Sequence, residues 1–112
     1  MKTTPLTREI ADQRKSEILG LESYIDNVGG PNWTEENLLK ELPMKWDLSF
    51  LMENDDGQIV AYLISSNLHG RYHIHRPFIH PSMRKIATVR LIRQAARIAQ
   101  TKGFTEIELE GW

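Results

Sequence analysis

The spacing of apolar residues changes period three times along the 112-residue chain, and each change marks a new kind of element. Over residues 7–25, Ile10, Ile18, Leu21 and Ile25 fall near one face with charges between them, the spacing of an amphipathic helix. Gly29-Gly30-Pro31 breaks that helix. Thr34 with Asn37 starts a second, short one that carries Leu38, Leu39 and Leu42 and is closed by Pro43. From Trp46 the period becomes two: Trp46, Leu48, Phe50 and Met52 alternate with Asp47, Ser49, Leu51 and Glu53, as in a strand. Asp55-Asp56-Gly57 tolerates the positive φ of a hairpin turn, and residues 59–66 return as the second strand. Residues 67–71 turn again around Gly70. Residues 72–80 form a third strand, interrupted at Pro77, which has no N–H to give.

After Pro81 the helical period returns in Val89, Ile92, Ala96 and Ala99, flanked by Leu91, Ala95 and Ile98, with Arg90, Arg93 and Arg97 on the opposite side. Gly103 ends this helix with Phe104 as its apolar partner. Ile107 and Leu109 then alternate with Glu106, Glu108 and Glu110 in a last strand. A strand, a crossover helix and another strand imply a parallel pair joined in the right-handed sense. The fold class is therefore α/β (α+β) with a mixed sheet: two N-terminal helices, three antiparallel strands, a crossover helix and a parallel strand. One domain over residues 1–112 is expected, its core a single modest one.

Composition narrows the chemistry. The chain has no cysteine, which excludes a disulfide scaffold, a thiolate zinc site and a cysteine nucleophile. No apolar run approaches the ~18 residues of a membrane span, and residues 1–10 hold no signal-peptide core, so a soluble cytoplasmic protein is expected. The net charge of −1 hides an asymmetry: residues 1–67 hold 12 acidic against 6 basic residues, whereas residues 68–105 hold 8 Lys/Arg, all 4 histidines and no acid. Such a stretch suits an anionic partner.

The stretch from Phe78 to Val89 joins the third strand to the basic helix. A loop entering a helix presents unpaired N–H groups and the positive end of the helix dipole, with Arg84, Lys85 and the Thr88 hydroxyl close by. That combination suits a phosphate-bearing ligand, and it equally suits an ordinary connection with solvated basic residues. Ile79-His80-Pro81-Ser82-Met83-Arg84, then Lys102-Gly103-Phe104 and Ile107-Glu108-Leu109-Glu110, together with the hairpin around Asp56-Gly57-Gln58-Ile59-Val60-Ala61-Tyr62, resemble the GNAT superfamily of acetyl-CoA-dependent N-acetyltransferases. The likeness covers residues 46–110, with the helical residues 1–45 before it.

The resemblance implies that Arg84, Lys85, Ile86, Ala87, Thr88 and Val89 form a loop holding the pyrophosphate of acetyl-CoA. It also implies that main-chain groups of Phe78 and His80 hold the pantetheine arm. Ala87 and Val89 replace small residues, usually glycine, of the family's motif. His75 occupies the place of a general base, which would deprotonate an amine acceptor of unknown identity. No tyrosine stands where the family's general acid does, and the family's further helix and strands are missing beyond Trp112. The last strand is thus expected to expose an edge that invites a homodimer, with Trp112 as an apolar anchor.

His73 and His75 share one strand face, but the spacing supplies no third metal ligand, so no metal is expected. Glu106, Glu108 and Glu110 could attract a cationic acceptor. A catalytically inactive GNAT-like module that binds CoA or only dimerises is the alternative reading. A nucleic-acid-binding domain using the arginine-bearing helix is a further one, without a recognised motif.

Overall fold

A computed structural model describes residues 1–25 and 32–110, so the expected break at Gly29-Gly30-Pro31 and the expected anchor Trp112 lie outside the described residues. The core is one five-stranded sheet in the order β1 (Lys2–Pro5), β2 (Phe50–Glu53), β3 (Ile59–Leu68), β4 (Arg71–Ile79), β5 (Ile107–Leu109). The first three neighbouring pairs are antiparallel. β4 and β5 are parallel and joined by the crossover helix α5 (Arg84–Thr101), as the strand–helix–strand pattern requires. α5 covers one face, packing Ala87, Leu91, Ala95 and Ala99 onto Phe50, Met52, Leu63 and Tyr72. The N-terminal helices cover the other face, where Leu6, Ala11, Ile18 and Leu38 meet Leu51, Tyr62, Ile64 and Phe78.

Several expected boundaries move, each for a visible reason. Residues 7–25 are not one helix but α1 (Arg8–Gln13), α2 (Lys15–Gly20) and a 3-10 turn (Leu21–Tyr24). The break falls at Arg14, whose guanidinium leaves the helix line to bind Glu17 (2.8 Å), Glu53 (2.9 Å) and the carbonyl of Gly57 (2.7 Å). The second helix, α3 (Glu35–Leu39), begins with the expected Thr34–Asn37 capping box. The strand expected from Trp46 starts only at Phe50, because residues 45–48 form a helical turn, α4 (Lys45–Leu48). Met44 enters that turn at φ 60°. The buried Lys45 ammonium then donates to the carbonyls of Asn37 (3.2 Å), Leu38 (2.6 Å) and Lys40 (2.7 Å), closing the end of α3. Burial lowers its pKa to about 8.

β1 carries no periodic signal and was not expected. It exists because β2 offers it an edge, with Lys2 to Pro5 opposite Glu53 to Phe50. The two hairpin turns stand where the sequence places them, with positive φ at Gly57 and at the His69-Gly70 pair. On α5 the buried stripe is rotated from expectation. Ala87, Leu91, Ala95 and Ala99 face the sheet, whereas Val89, Ile92 and Ala96 are exposed beside Arg90, Arg93 and Arg97. Gly103 at φ 83° ends the helix, and Phe104 donates its N–H to Ala99 (2.8 Å) and lies edge-on to Tyr72.

Candidate functional site

The junction between β4 and α5 is built from main-chain groups. The His80 imidazole Nδ1 accepts the Ser82 N–H (3.2 Å) and the Ser82 hydroxyl (2.7 Å), which caps a 3-10 turn over Pro81–Met83 with proline in its first turn. The His80 N–H donates to Val60 (2.7 Å) and its carbonyl accepts from Met83 (2.9 Å). Both main-chain groups of His80 are therefore satisfied internally, which corrects the expected role of this residue toward pantetheine. Hydrogen-bonded and non-bonded pairs alternate in an antiparallel ladder, so Phe78, opposite Tyr62, also turns its main chain toward β3. The groups that face the outer edge are the N–H and carbonyl of Ile79 and the carbonyl of Pro77. The resemblance named the strand, but only the register between strands decides which N–H a neighbouring strand takes.

That outer edge is open to a ligand along the C-terminal half of β4. β5 pairs only with Tyr72, His73 and Ile74, and among the described residues no strand follows β4 over residues 75–79. Two features part the strands. The β3–β4 register slips between Ile64 and Ser65, so His75 bulges with no residue opposite it. Two residues later Pro77 has no N–H for a ladder.

Residues 84–88 are not a loop but the first turns of α5. The N–H of Arg84 closes the i→i+3 ladder of the 3-10 turn Pro81–Met83; those of Lys85 and Ile86 precede Ala87, the first residue whose N–H can reach the carbonyl of the N-cap Met83. These two are thus donors at the positive end of an 18-residue helix. The Ala87 methyl is 0% exposed and sits in the core, away from that opening, while Val89 is 49% exposed on the outer side. Neither side chain obstructs the helix start, so the residues present fit an anionic group there. The Thr88 hydroxyl is a different matter. It donates to the Arg84 carbonyl one turn back, which corrects its expected use as a phosphate donor.

The second part of the site is made of side chains on the paired half of β4. Arg71, His73 and His75 meet Glu106, Glu108 and Glu110 of the adjoining strand as a ladder. Arg71 Nε donates to Glu106 (2.7 Å), and His73 Nδ1 to Glu108 (2.7 Å). Glu110 Oε1 stands 3.2 Å from both His73 Nε2 and His75 Nδ1, and His75 Nε2 is 2.6 Å from the Ser66 hydroxyl. The three glutamates expected to attract a cationic acceptor are therefore engaged by β4. Burial holds the His75 pKa below 6.5 against the opposing pull of Glu110, so the ring is neutral at pH 7. Burial raises the Glu110 carboxyl, but hydrogen bonds from His73 and His75 outweigh this and hold it below 4.5.

Ser66 and Glu110 were not singled out as partners of His75. A signal did exist: the two-residue spacing of the histidines matches that of the glutamates, and parallel strands align such patterns. The buried hydroxyls of Tyr62 and Tyr72 are committed to Glu22 (2.6 Å) and to the Leu48 carbonyl (2.8 Å). Burial raises both pKa values, that of Tyr72 to about 12, so neither is available as a proton donor. No helix among the described residues is long and apolar enough to cross a membrane.

Searches against protein-family models and against curated proteins return no match. Solved structures do match. An aminoglycoside 6'-N-acetyltransferase from Acinetobacter baumannii is 18% identical, with a TM-score of 0.66 over 99% of this chain and 79% of its own. An aminoglycoside acetyltransferase from an uncultured soil metagenomic sample, solved in complex with sisomicin, is 16% identical, with a TM-score of 0.71 over 99% of this chain and 77% of its own. A ribosomal-protein-alanine N-acetyltransferase from Brucella melitensis is 17% identical, with a TM-score of 0.66 over 96% and 78%. The mixed sheet and its crossover helix thus agree with the resemblance seen in the sequence: this short chain has the GNAT acetyltransferase fold.

Proposed function

We propose that the protein transfers an acetyl group from acetyl-CoA to an amine. The observation that carries this reading is the edge of β4 over residues 75–79, unpaired among the described residues, leading directly to the start of α5 with the N–H groups of Lys85 and Ile86. An extended pantetheine amide arm could pair with Ile79 and Pro77 like an added strand. The coenzyme's diphosphate would then meet the start of α5, with the Arg84 and Lys85 side chains as counter-charges. The Ile79 N–H would polarise the thioester carbonyl. His75, neutral and beside the half-exposed Glu110, would take the proton of an ammonium acceptor. The free amine would attack the thioester carbon, forming the amide as the C–S bond breaks, with the second amine proton passing to the departing sulfur so that CoA leaves as the thiol.

A second reading is favoured by one observation: both ring nitrogens of His75 already have partners. A module that binds CoA without turnover would tolerate that arrangement. Thermal denaturation with acetyl-CoA and an assay of free thiol against an amine panel separate the two. Transfer predicts a raised Tm and thiol release that fails in His75→Gln; binding alone predicts the shift without thiol. No shift in Tm removes both. Acceptor identity, a cytoplasmic location and a homodimer through the outer edge of β5 remain part of the proposal, and sedimentation of the full chain tests the last.

A further inference from the structure

We propose that His73 Nε2, His75 Nδ1 and Glu110 Oε1 form a binding site for a divalent transition-metal cation of the zinc type. The ligand atoms lie within 4.8 Å of one another, and Glu110 Oε1 is 3.2 Å from each histidine nitrogen. Two atoms bound to one tetrahedral zinc at about 2.0–2.1 Å stand about 3.3 Å apart, so two edges of the coordination polyhedron are already near their final length. Two histidines and one carboxylate form a donor set suited to zinc.

The tautomers point to the same conclusion. A carboxylate can only accept, so the 2.7 Å contact of His73 Nδ1 with Glu108 fixes the ring proton on Nδ1. In the neutral ring Nε2 then carries a lone pair that faces Glu110 Oε1, another acceptor. Two acceptors hold that distance when a positive charge lies between them, and a metal ion or a second ring proton supplies one. Each ring is also braced on its far side, His73 by Glu108 and His75 by the Ser66 hydroxyl. Outer partners of this kind orient metal-binding histidines and raise their basicity. The sheet holds all of them: β4 and β5 pair at His73↔Glu108, and the Glu110 N–H donates to the Ile74 carbonyl (2.9 Å).

The site does not depend on the coenzyme reading. By the same rule the neutral His75 ring carries its proton on Nδ1, which a bound ion displaces; the ion then sets a positive charge on the ring that proton removal requires, so zinc would inhibit any amine acetylation and a chelator would restore it. The test is calorimetric titration of the chelator-treated full chain with zinc chloride at pH 7.5, without CoA. One ion per chain is expected. His73→Gln and Glu110→Gln should each weaken binding at least about tenfold, and Glu108→Gln by about 10–100-fold. Circular dichroism establishes that each variant is folded. On the wild type, cobalt(II) should give the intense visible absorption of a tetrahedral site, which needs no variant. A flat wild-type titration, or variants that bind as tightly as the wild type, would overturn the proposal and leave a proton as the charge between the acceptors. Zinc binding without a response to acetyl-CoA would sink the transferase reading and leave the metal site standing.

Discussion

The two halves of β4 use the same strand in opposite ways. Over residues 72–74 it is paired on both sides, and its outward chemistry belongs to side chains: His73 with Glu108 and Glu110, and His75 just beyond with Glu110 and Ser66. Over residues 75–79 no strand among the described residues pairs with its outer edge, and what it offers there is backbone, continued by the N–H groups at the start of α5. The backbone half depends less on side-chain identity: Ala87 points into the core and Val89 lies exposed on the outer side of α5. The side-chain half depends on the identity of nearly every group in it, because each ring nitrogen of His73 and His75 has a particular partner.

Substitutions that break this contrast can be ranked by expected effect. Arg76→Ala is the most damaging: Arg76 neutralises the buried Glu22, whose carboxyl burial would raise but whose bonds from Arg76, Tyr62 and the Trp33 N–H hold low. Stranding that carboxylate should cost about 3 kcal/mol, read from urea unfolding. On the backbone half, Ala87→Leu forces a larger side chain into a fully buried position and should cost about 1–3 kcal/mol. Ala87→Gly should cost only about 1 kcal/mol of helix propensity while leaving any acetyl-CoA response intact. If glycine abolished that response, the alanine would be making a contact that the backbone reading lacks.

Acid sharpens the contrast further. The His75 pKa is lower in the folded chain than the unperturbed 6.5, so the unfolded chain binds the proton first. Its contribution to stability is therefore present above pH 6.5 and is lost as pH falls below it. That of Glu110 is present above 4.5 and is lost at still lower pH. Tm should fall on acidification through pH 6.5, and His75→Gln should flatten that part of the profile. The smallest effect belongs to Thr88→Val. Its hydroxyl serves only its own helix, so stability should change by less than about 0.5 kcal/mol, with any thermal shift by acetyl-CoA unaltered.

Residue pattern alone determined the order of the main elements, both hairpin turns, the crossover and the glycine stop at Gly103. These follow from local periodicity and from the few residues that accept positive φ. It also brought out the His-Pro lead-in to a basic helix, whereas His75 was singled out only by the resemblance to the GNAT superfamily. Three-dimensional packing decided what has no local signature. β1 forms because another strand presents an edge; the helix over 7–25 breaks because Arg14 is drawn to Glu53 across the fold; and Lys45 turns residues 45–48 helical by closing α3. The same holds for the site. Whether an N–H points into a ladder or out of it, and whether Glu110 reaches His73 and His75, depends on register between strands separated by 35 or more residues. Hydrogen bonds and charges act over a few ångströms in space, and only the folded chain sets those distances.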